Sequence, residues 1–327
     1  MAAPTSFSNP LAKWIYNRCT ESLLFVMVEP KGKSEIESIK NIAKKLNILT
    51  PEEAVERSNE SRSCTGFVVE EKEGVIKILT IAHCIDHVFT SSKPISAQKV
   101  QRLFRISIIC DHYETAFCNS KRRDKIRYYN AVRVAEIDCG KDLLLLQVDR
   151  ENILGFDGKT CQHSHRPLLP SRNPPTAFEI VAMISWPPRR VRTSAIGEIS
   201  HCSRAYDDAS DKNPNGYDMT LLEVNIPGHD GSSGAPLLDG SGDYSGLLHA
   251  GGKDCFSCFV SLHDILQCLT RWGIEYLIDG TVRCMIGVSR EWTMVYSQQR
   301  QERLEVKLGI LIGGSIHRST PKDLDLP

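Results

Sequence analysis

Gly228-His229-Asp230-Gly231-Ser232-Ser233-Gly234-Ala235-Pro236-Leu237-Leu238 is the stretch on which the reading of this chain turns. A serine set between glycines in a tight turn can expose its hydroxyl while neighbouring backbone N–H groups converge on one point, the geometry that stabilises a developing oxyanion. By itself such a stretch could be a mere Gly/Ser loop. Two further segments give it company. Ile78-Leu79-Thr80-Ile81-Ala82-His83-Cys84 runs an apolar strand into a histidine, and a buried strand end is a rigid platform for a general base. Asp142-Leu143-Leu144-Leu145-Leu146-Gln147-Val148 opens a strongly apolar strand with a lone carboxylate, whose burial costs several kcal/mol unless it is hydrogen-bonded. A structural histidine and a strand-capping aspartate are the plainer readings of these two segments taken singly.

Around these segments the chain reads as β structure. Leu23 to Val28, Gly66 to Val69, Val75 to Ile81, Phe104 to Ile109, Val132 to Ile137 and Leu143 to Val148 are short apolar, β-branched runs separated by turn residues, and they suggest a first barrel. After the Pro-rich stretch Pro167 to Pro175, a second set follows at Phe178 to Ser185, Arg192 to Ser200, Thr220 to Ile226, Ala235 to Leu238, Tyr244 to His249 and Phe256 to Val260. Helical periodicity is confined to Glu35 to Leu46 and Leu262 to Leu277, and Thr50-Pro51-Glu52-Glu53 reads as a capping box that starts a further short helix. The expected organisation is an N-terminal segment 1–22, a first barrel 23–160 carrying a helical insertion 31–63, a second barrel 161–262, and a C-terminal helix and tail 263–327. The alternating run Leu304 to Ile312 and the charged end are too little for another domain.

Histidine, aspartate and serine stand in that order, 59 and then 91 residues apart, on opposite sides of the inferred barrel boundary. The three segments resemble the T-A-A-H-C, D-I-A-L-L and G-D-S-G-G-P signatures of the trypsin/chymotrypsin superfamily, over about Cys64 to Val260. The resemblance implies an all-β fold of two six-stranded Greek-key barrels packed together. It further implies a serine endopeptidase with Ser233 as nucleophile, His83 as general base and later acid, and Asp142 as the group that fixes the imidazole tautomer. The N–H groups of Gly231 and Ser233 would form the oxyanion hole. Gly246-Leu247-Leu248-His249-Ala250-Gly251 matches the family's Gly-x-x-Ser-Trp-Gly segment, which makes His249, Ala250 and Gly251 candidate substrate-binding residues. Pro227 stands where trypsin has the Asp that binds Lys or Arg, so tryptic specificity is not expected, although Asp254 could bring a carboxylate from another loop.

Departures from the digestive enzymes sharpen the comparison. Ser232 replaces the Asp that pairs with a newly cut N-terminus, and the chain has no Ile-Val-Gly-Gly-like start, so activation by that cleavage is not expected. The site resembles instead the intracellular Deg/HtrA type, whose Gly-Asn-Ser-Gly-Gly-Pro motif also lacks that Asp, while the tail after Cys284 is too short for a PDZ domain. Ala235 replaces the usual second glycine and requires a negative φ. A catalytically silent protein of the same fold, acting as a binding module, is the competing reading; all triad members being present speaks against it.

Composition limits the partners. Forty basic and forty acidic residues leave no global field to hold nucleic acid or an anionic membrane, so neither is expected as a partner, and protein or peptide substrates remain. The clusters Lys121-Arg122-Arg123 and Arg189-Arg190-Val191-Arg192 are short enough to be solvated surface. The first thirty residues show no secretion signal, and Leu23 to Val28 is too short to span a bilayer, which leads to an intracellular location. Twelve cysteines scattered over 327 residues without an export signal read as reduced thiols. That includes Cys64 and Cys84, which sit where family members often have a disulfide across the histidine loop. Cys255-Phe256-Ser257-Cys258, with His263 and Cys268 downstream, is a weak zinc motif because i and i+3 side chains of a strand face opposite ways. No metal site and no cofactor are expected.

Overall fold

The computed structural model describes residues 9–110, 130–154, 159–188, 193–251, 255–274, 276–278 and 281–283. The chain divides into the units Met1–Val282 and Arg283–Pro327, and both large sheets belong to the first. Both basic clusters, Asp254 and the tail 284–327 lie outside the described residues.

The β-branched and leucine-rich runs form two all-antiparallel sheets. The first has seven strands, β1 (Leu23–Pro30), β2 (Arg62–Lys72), β3 (Val75–Ile81), β4 (Phe104–Cys110), β5 (Asn130–Ala131), β6 (Arg133–Asp138) and β7 (Leu143–Asp149), in the order β5-β4-β1-β2-β3-β7-β6. The second is a closed barrel of β8 (Ile180–Ser185), β9 (Thr193–Ala205), β10 (Thr220–Val224), β11 (Pro236–Leu238), β12 (Tyr244–Gly251) and β13 (Ser257–Ser261), in the order β10-β13-β12-β11-β8-β9. In each sheet the fourth strand returns beside the first, β4-β1-β2-β3 and β11-β8-β9-β10, which is the Greek-key order. The two-barrel architecture stands, with one difference of detail. The first sheet is a curled half-barrel with open edges, and the two-residue strand β5, added to β4 at one edge, brings the expected six strands to seven. A dipeptide carries no periodicity, and so was invisible in the sequence.

Helices fill the periphery. α1 (Asn9–Thr20) precedes β1 and carries too weak a pattern to be expected from the sequence. Its Ile15 and Cys19 are buried while Trp14 is exposed, a single narrow stripe in a segment of low hydrophobicity. α2 (Lys33–Leu46) and α3 (Pro51–Asn59) form the insertion; Thr50 accepts from Glu53 N–H while the Glu53 carboxylate accepts from Thr50 N–H, the reciprocal cap expected there. α4 (Ala97–Leu103) leads into β4, α5 (Tyr206–Ala209) is a single turn after β9, and α6 (Leu262–Arg271) ends the second barrel. α6 stops six residues short of Leu277, because Tyr276–Ile278 is extended. Among the described residues no helix is long and apolar enough to cross a membrane.

The insertion braces the turn that follows β3. Arg57 of α3 reaches both carboxylate oxygens of Asp86 at 2.9 and 3.1 Å, and Arg62 donates to Asp86 at 3.1 Å and to the His83 carbonyl at 3.0 Å. These side chains are partly exposed, so each pair is worth about 0–1 kcal/mol and matters chiefly for position.

Thr65 of β2 is the hinge pin between the two sheets. It is fully buried; its N–H donates to the Ser233 carbonyl at 2.8 Å and its carbonyl accepts from the Thr80 hydroxyl at 2.7 Å. Its hydroxyl donates to the Gly231 carbonyl at 3.0 Å and accepts from the Trp186 N–H at 2.9 Å. Thr65→Val keeps the volume and strands both of the latter groups, at about 1–3 kcal/mol for each one left unsatisfied. Urea unfolding should show a lower midpoint with unchanged slope; an unchanged midpoint would mean that the seam does not depend on this hydroxyl.

Candidate active site

The pairing of β3 with β7 sets Ile81 opposite Leu143, so the residues just beyond the strand ends, His83 and Asp142, meet at one end of the sheet. Ala82 N–H donates to the Asp142 carbonyl at 3.1 Å and fixes that end. Asp142 takes a left-handed backbone at φ 56, a conformation that aspartate tolerates better than most residues.

The carboxylate is completely buried and receives three hydrogen bonds. His83 donates its backbone N–H to Oδ1 at 2.6 Å, and its ring Nδ1 lies 2.7 Å from Oδ2. His249 Nδ1 lies 2.6 Å from the same Oδ2. Burial alone would raise the pKa of this acid, but the two histidines hold it well below the usual carboxylate range. For His83, burial disfavours the charged ring, and the facing carboxylate outweighs it, so its pKa lies above the ordinary value. With Nδ1 committed to Asp142, the neutral tautomer carries its lone pair on Nε2.

His249 reaches the site through an irregularity. The β12/β13 register shifts between Leu248 and Ala250, and this bulge at His249 turns its ring inward. There it packs edge-on against His83, Tyr206 and Tyr217, with centroids 5.2, 5.5 and 5.3 Å away.

The serine loop is held by glycines and by Thr65. Gly231 and Gly234 have φ of 84 and 85; a Cβ on Gly234 would lie 2.1 Å from the Thr65 carbonyl, which no side chain permits. Ser232 is buried and its hydroxyl meets that of Ser185 at 3.0 Å. Ala235 is buried without a positive φ and donates its N–H to the Ser232 carbonyl, so its methyl group fits where the family pattern has glycine. The Ser233 hydroxyl makes a long, weak hydrogen bond of 3.4 Å to the His249 carbonyl, and among the described contacts none joins it to His83 Nε2.

His83, Asp142, Ser233 and His249 therefore gather at one seam, whereas Pro227, Ala250 and Gly251 are exposed residues beside it. Gly228 packs its backbone against Gly251 so closely that a Cβ on Gly228 would lie 2.8 Å from Gly251 Cα. The alternatives for His and Asp are engaged elsewhere: Asp138 pairs with Arg271, and His87 lies against Phe104. Cys64 and Cys84 carry unbridged thiols: Cys64 meets the Thr80 hydroxyl at 3.2 Å, and Cys84 donates to the Ile81 carbonyl at 3.5 Å. The sequence pattern puts His249 in the substrate cleft and gives no hint of its bond to Asp142. The one signal is a titratable residue at the position where the pattern has serine. Nothing in the sequence points to Tyr206, Tyr217 or Thr65.

A closed six-stranded barrel, a curled half-barrel and a serine loop at their seam define the architecture of a trypsin-like protease. The family profile of the trypsin-like peptidase domain matches residues 64–247, more than half of the chain, and the chain belongs to that family. Among solved structures, the active form of the Rv3671c protease from M. tuberculosis is similar at 12% identity and a TM-score of 0.50, covering 87% of this chain and 94% of that one. Deg5 is similar at 14% identity and a TM-score of 0.49, covering 81% and 95%. No curated protein sequence matches the chain.

The electrostatics make one prediction. Because the His83 pKa is raised in the folded state, its protonation stabilises the fold fully below about pH 6.5, and this contribution fades as pH rises through the raised value. Imidazole NMR titration should find His83 above the ordinary histidine value, and Asp142→Asn should lower it, since the largest opponent of burial is then removed and only the weaker pull of Asp86 remains. An unshifted His83 in the wild type would contradict the pairing.

Proposed function

We propose that the chain is a serine endopeptidase that cleaves through an acyl-enzyme, with Ser233 as nucleophile, His83 as base and acid, and Asp142 as the orienting carboxylate. The observation that carries this reading is the fully buried Asp142 carboxylate clamped onto His83 through both the ring and the backbone. In the proposed reaction the Ser233 hydroxyl swings from the His249 carbonyl to His83 Nε2 and gives up its proton there as Oγ attacks the scissile carbonyl. The Gly231 and Ser233 N–H groups stabilise the oxyanion. His83 returns the proton to the leaving amine, and water then cleaves the ester by the same route in reverse. His249 holds the second lone-pair direction of Asp142 Oδ2 and so steadies the carboxylate.

Two features bear on selectivity and activation. Gly228 and Gly251 approach one another closely and Pro227 brings no charge, so small or apolar side chains are expected before the scissile bond. Ser232 satisfies itself with the Ser185 hydroxyl, so the loop requires no new N-terminal ammonium. A silent binding module has one observation in its favour, the Ser233 hydroxyl resting on the His249 carbonyl away from His83.

Labelling with a fluorophosphonate separates the two readings. Reaction of the uncleaved wild type and none with Ser233→Ala supports an activated serine, whereas a wild type inert from pH 6 to 9 would sink the enzyme reading. On a cleaved peptide, Ser233→Ala and His83→Ala should each lower kcat by about 10⁴-fold or more.

Peptide-library profiling should return small or apolar residues before the cleaved bond, since a cation there would lack a partner at a loss of several kcal/mol. Strong Lys or Arg preference, or activity only after N-terminal trimming, would contradict the assignments of Pro227 and Ser232.

A further inference from the structure

We propose that Cys110, Cys161 and His165 form a zinc site that ties the segment between the two barrels to the edge of the first sheet. The three donor atoms lie within 4.8 Å of one another, and the residues are 0%, 4% and 1% exposed. The two sulfurs are 3.8 Å apart. That is nearly twice a disulfide bond of about 2.05 Å, and it is the edge of a tetrahedron whose zinc–sulfur bonds are about 2.3 Å.

The chemistry of the set fits a soft divalent cation. Two thiolates and a neutral imidazole around Zn²⁺ make an electrically neutral unit, which can be buried without the several kcal/mol that an isolated ion would cost. On loading, the two thiols release their protons to solvent and no redox partner is needed. The set supplies three vertices and leaves the fourth to water or another ligand.

Hydrogen-bonded backbone holds the two cysteines. Cys110 ends β4, opposite Leu24 of β1. Cys161 donates its N–H to the Ile153 carbonyl at 2.7 Å, next to a bridge between Leu154 and Thr160, and Leu154 N–H is itself bound to Asn130 at 3.0 Å. Cys161 also lines a surface groove together with Arg150, Thr160 and Gln162. The sequence led to no metal site, because 51 residues separate the two cysteines and no short motif joins them. The Cys255/Cys258 pair that did draw notice has one exposed and one half-buried thiol.

Zinc content of the full chain, purified under reducing conditions from zinc-supplemented cells, tests the proposal. About one equivalent is expected, and Co²⁺ exchanged into it should give thiolate-to-metal charge-transfer absorption and the intense d–d bands of a tetrahedral site. Cys161→Ser and His165→Ala should each weaken Co²⁺ binding more than about 100-fold, beyond the loss of an outer-sphere partner. Cys258→Ser and His249→Ala should leave uptake intact. If the ligand variants fail to fold, the wild type still decides: a chelator should strip the ion and lower Tm, with recovery on adding zinc. No metal above background and no Co²⁺ charge-transfer band would overturn the proposal, as would uptake lost in His249→Ala and kept in Cys161→Ser. None of these readouts depends on peptidase activity.

Discussion

Everything at the seam depends on one buried charge. The Asp142 carboxylate has no exposure to water, and an ion taken out of water loses several kcal/mol of hydration. Three donated hydrogen bonds, each of the charge-assisted kind worth about 1.5–3 kcal/mol, can offset that cost only if all three donors stay in place. The first sheet supplies two of them through His83 and the second barrel supplies the third through His249. The carboxylate therefore joins the barrels electrostatically, as Thr65 joins them through neutral hydrogen bonds. Asp142 meets the requirement from a strained left-handed backbone, which persists because the β3/β7 register and the Ala82 bond determine it.

How much of this the sequence displayed depends on the period of each signal. Strands such as Val75–Ile81 and Leu143–Asp149 are contiguous apolar runs, and they stand where the runs placed them. The capping box at Thr50 is a local code within four residues, and it too was readable. The site was legible only as three segments and their order. That Asp142 serves two histidines depends on a register shift at His249, and a bulge leaves no mark in hydrophobic alternation. Thr65 reads as an ordinary strand threonine because its partners lie 121 and 166 residues away. The same distance blindness hides Cys110 and Cys161, which resemble any scattered buried cysteines until the fold brings them together.

The serine loop shows how a neutral contact alters what regulation can act upon. Where an aspartate precedes the nucleophile, the loop conformation is linked to the arrival of a positive partner. Here the Ser232 hydroxyl is satisfied by Ser185 of β8, inside the same barrel, and no charge is buried at that step. The loop geometry is then set by the barrel and by Gly231, Gly234 and Thr65, all present in the uncut chain. What stays variable is the Ser233 hydroxyl, whose 3.4 Å bond is long for an oxygen donor and so holds it weakly.

The second histidine changes the electrostatic task of the carboxylate. A neutral hydroxyl at this position, as in the family pattern, can only donate to the aspartate, whereas an imidazole can donate and can also carry charge. Both Nδ1 atoms converge on Oδ2, with the ring centroids 5.2 Å apart, so one oxygen serves two rings. Tyr206 and Tyr217 pack edge-on against His249 and hold its ring in place. His83 is 20% exposed at its side chain and so is open to solvent. The difference in exposure between two rings sharing one oxygen suits His83 to carry the moving proton of the proposed reaction and His249 to hold the carboxylate in place.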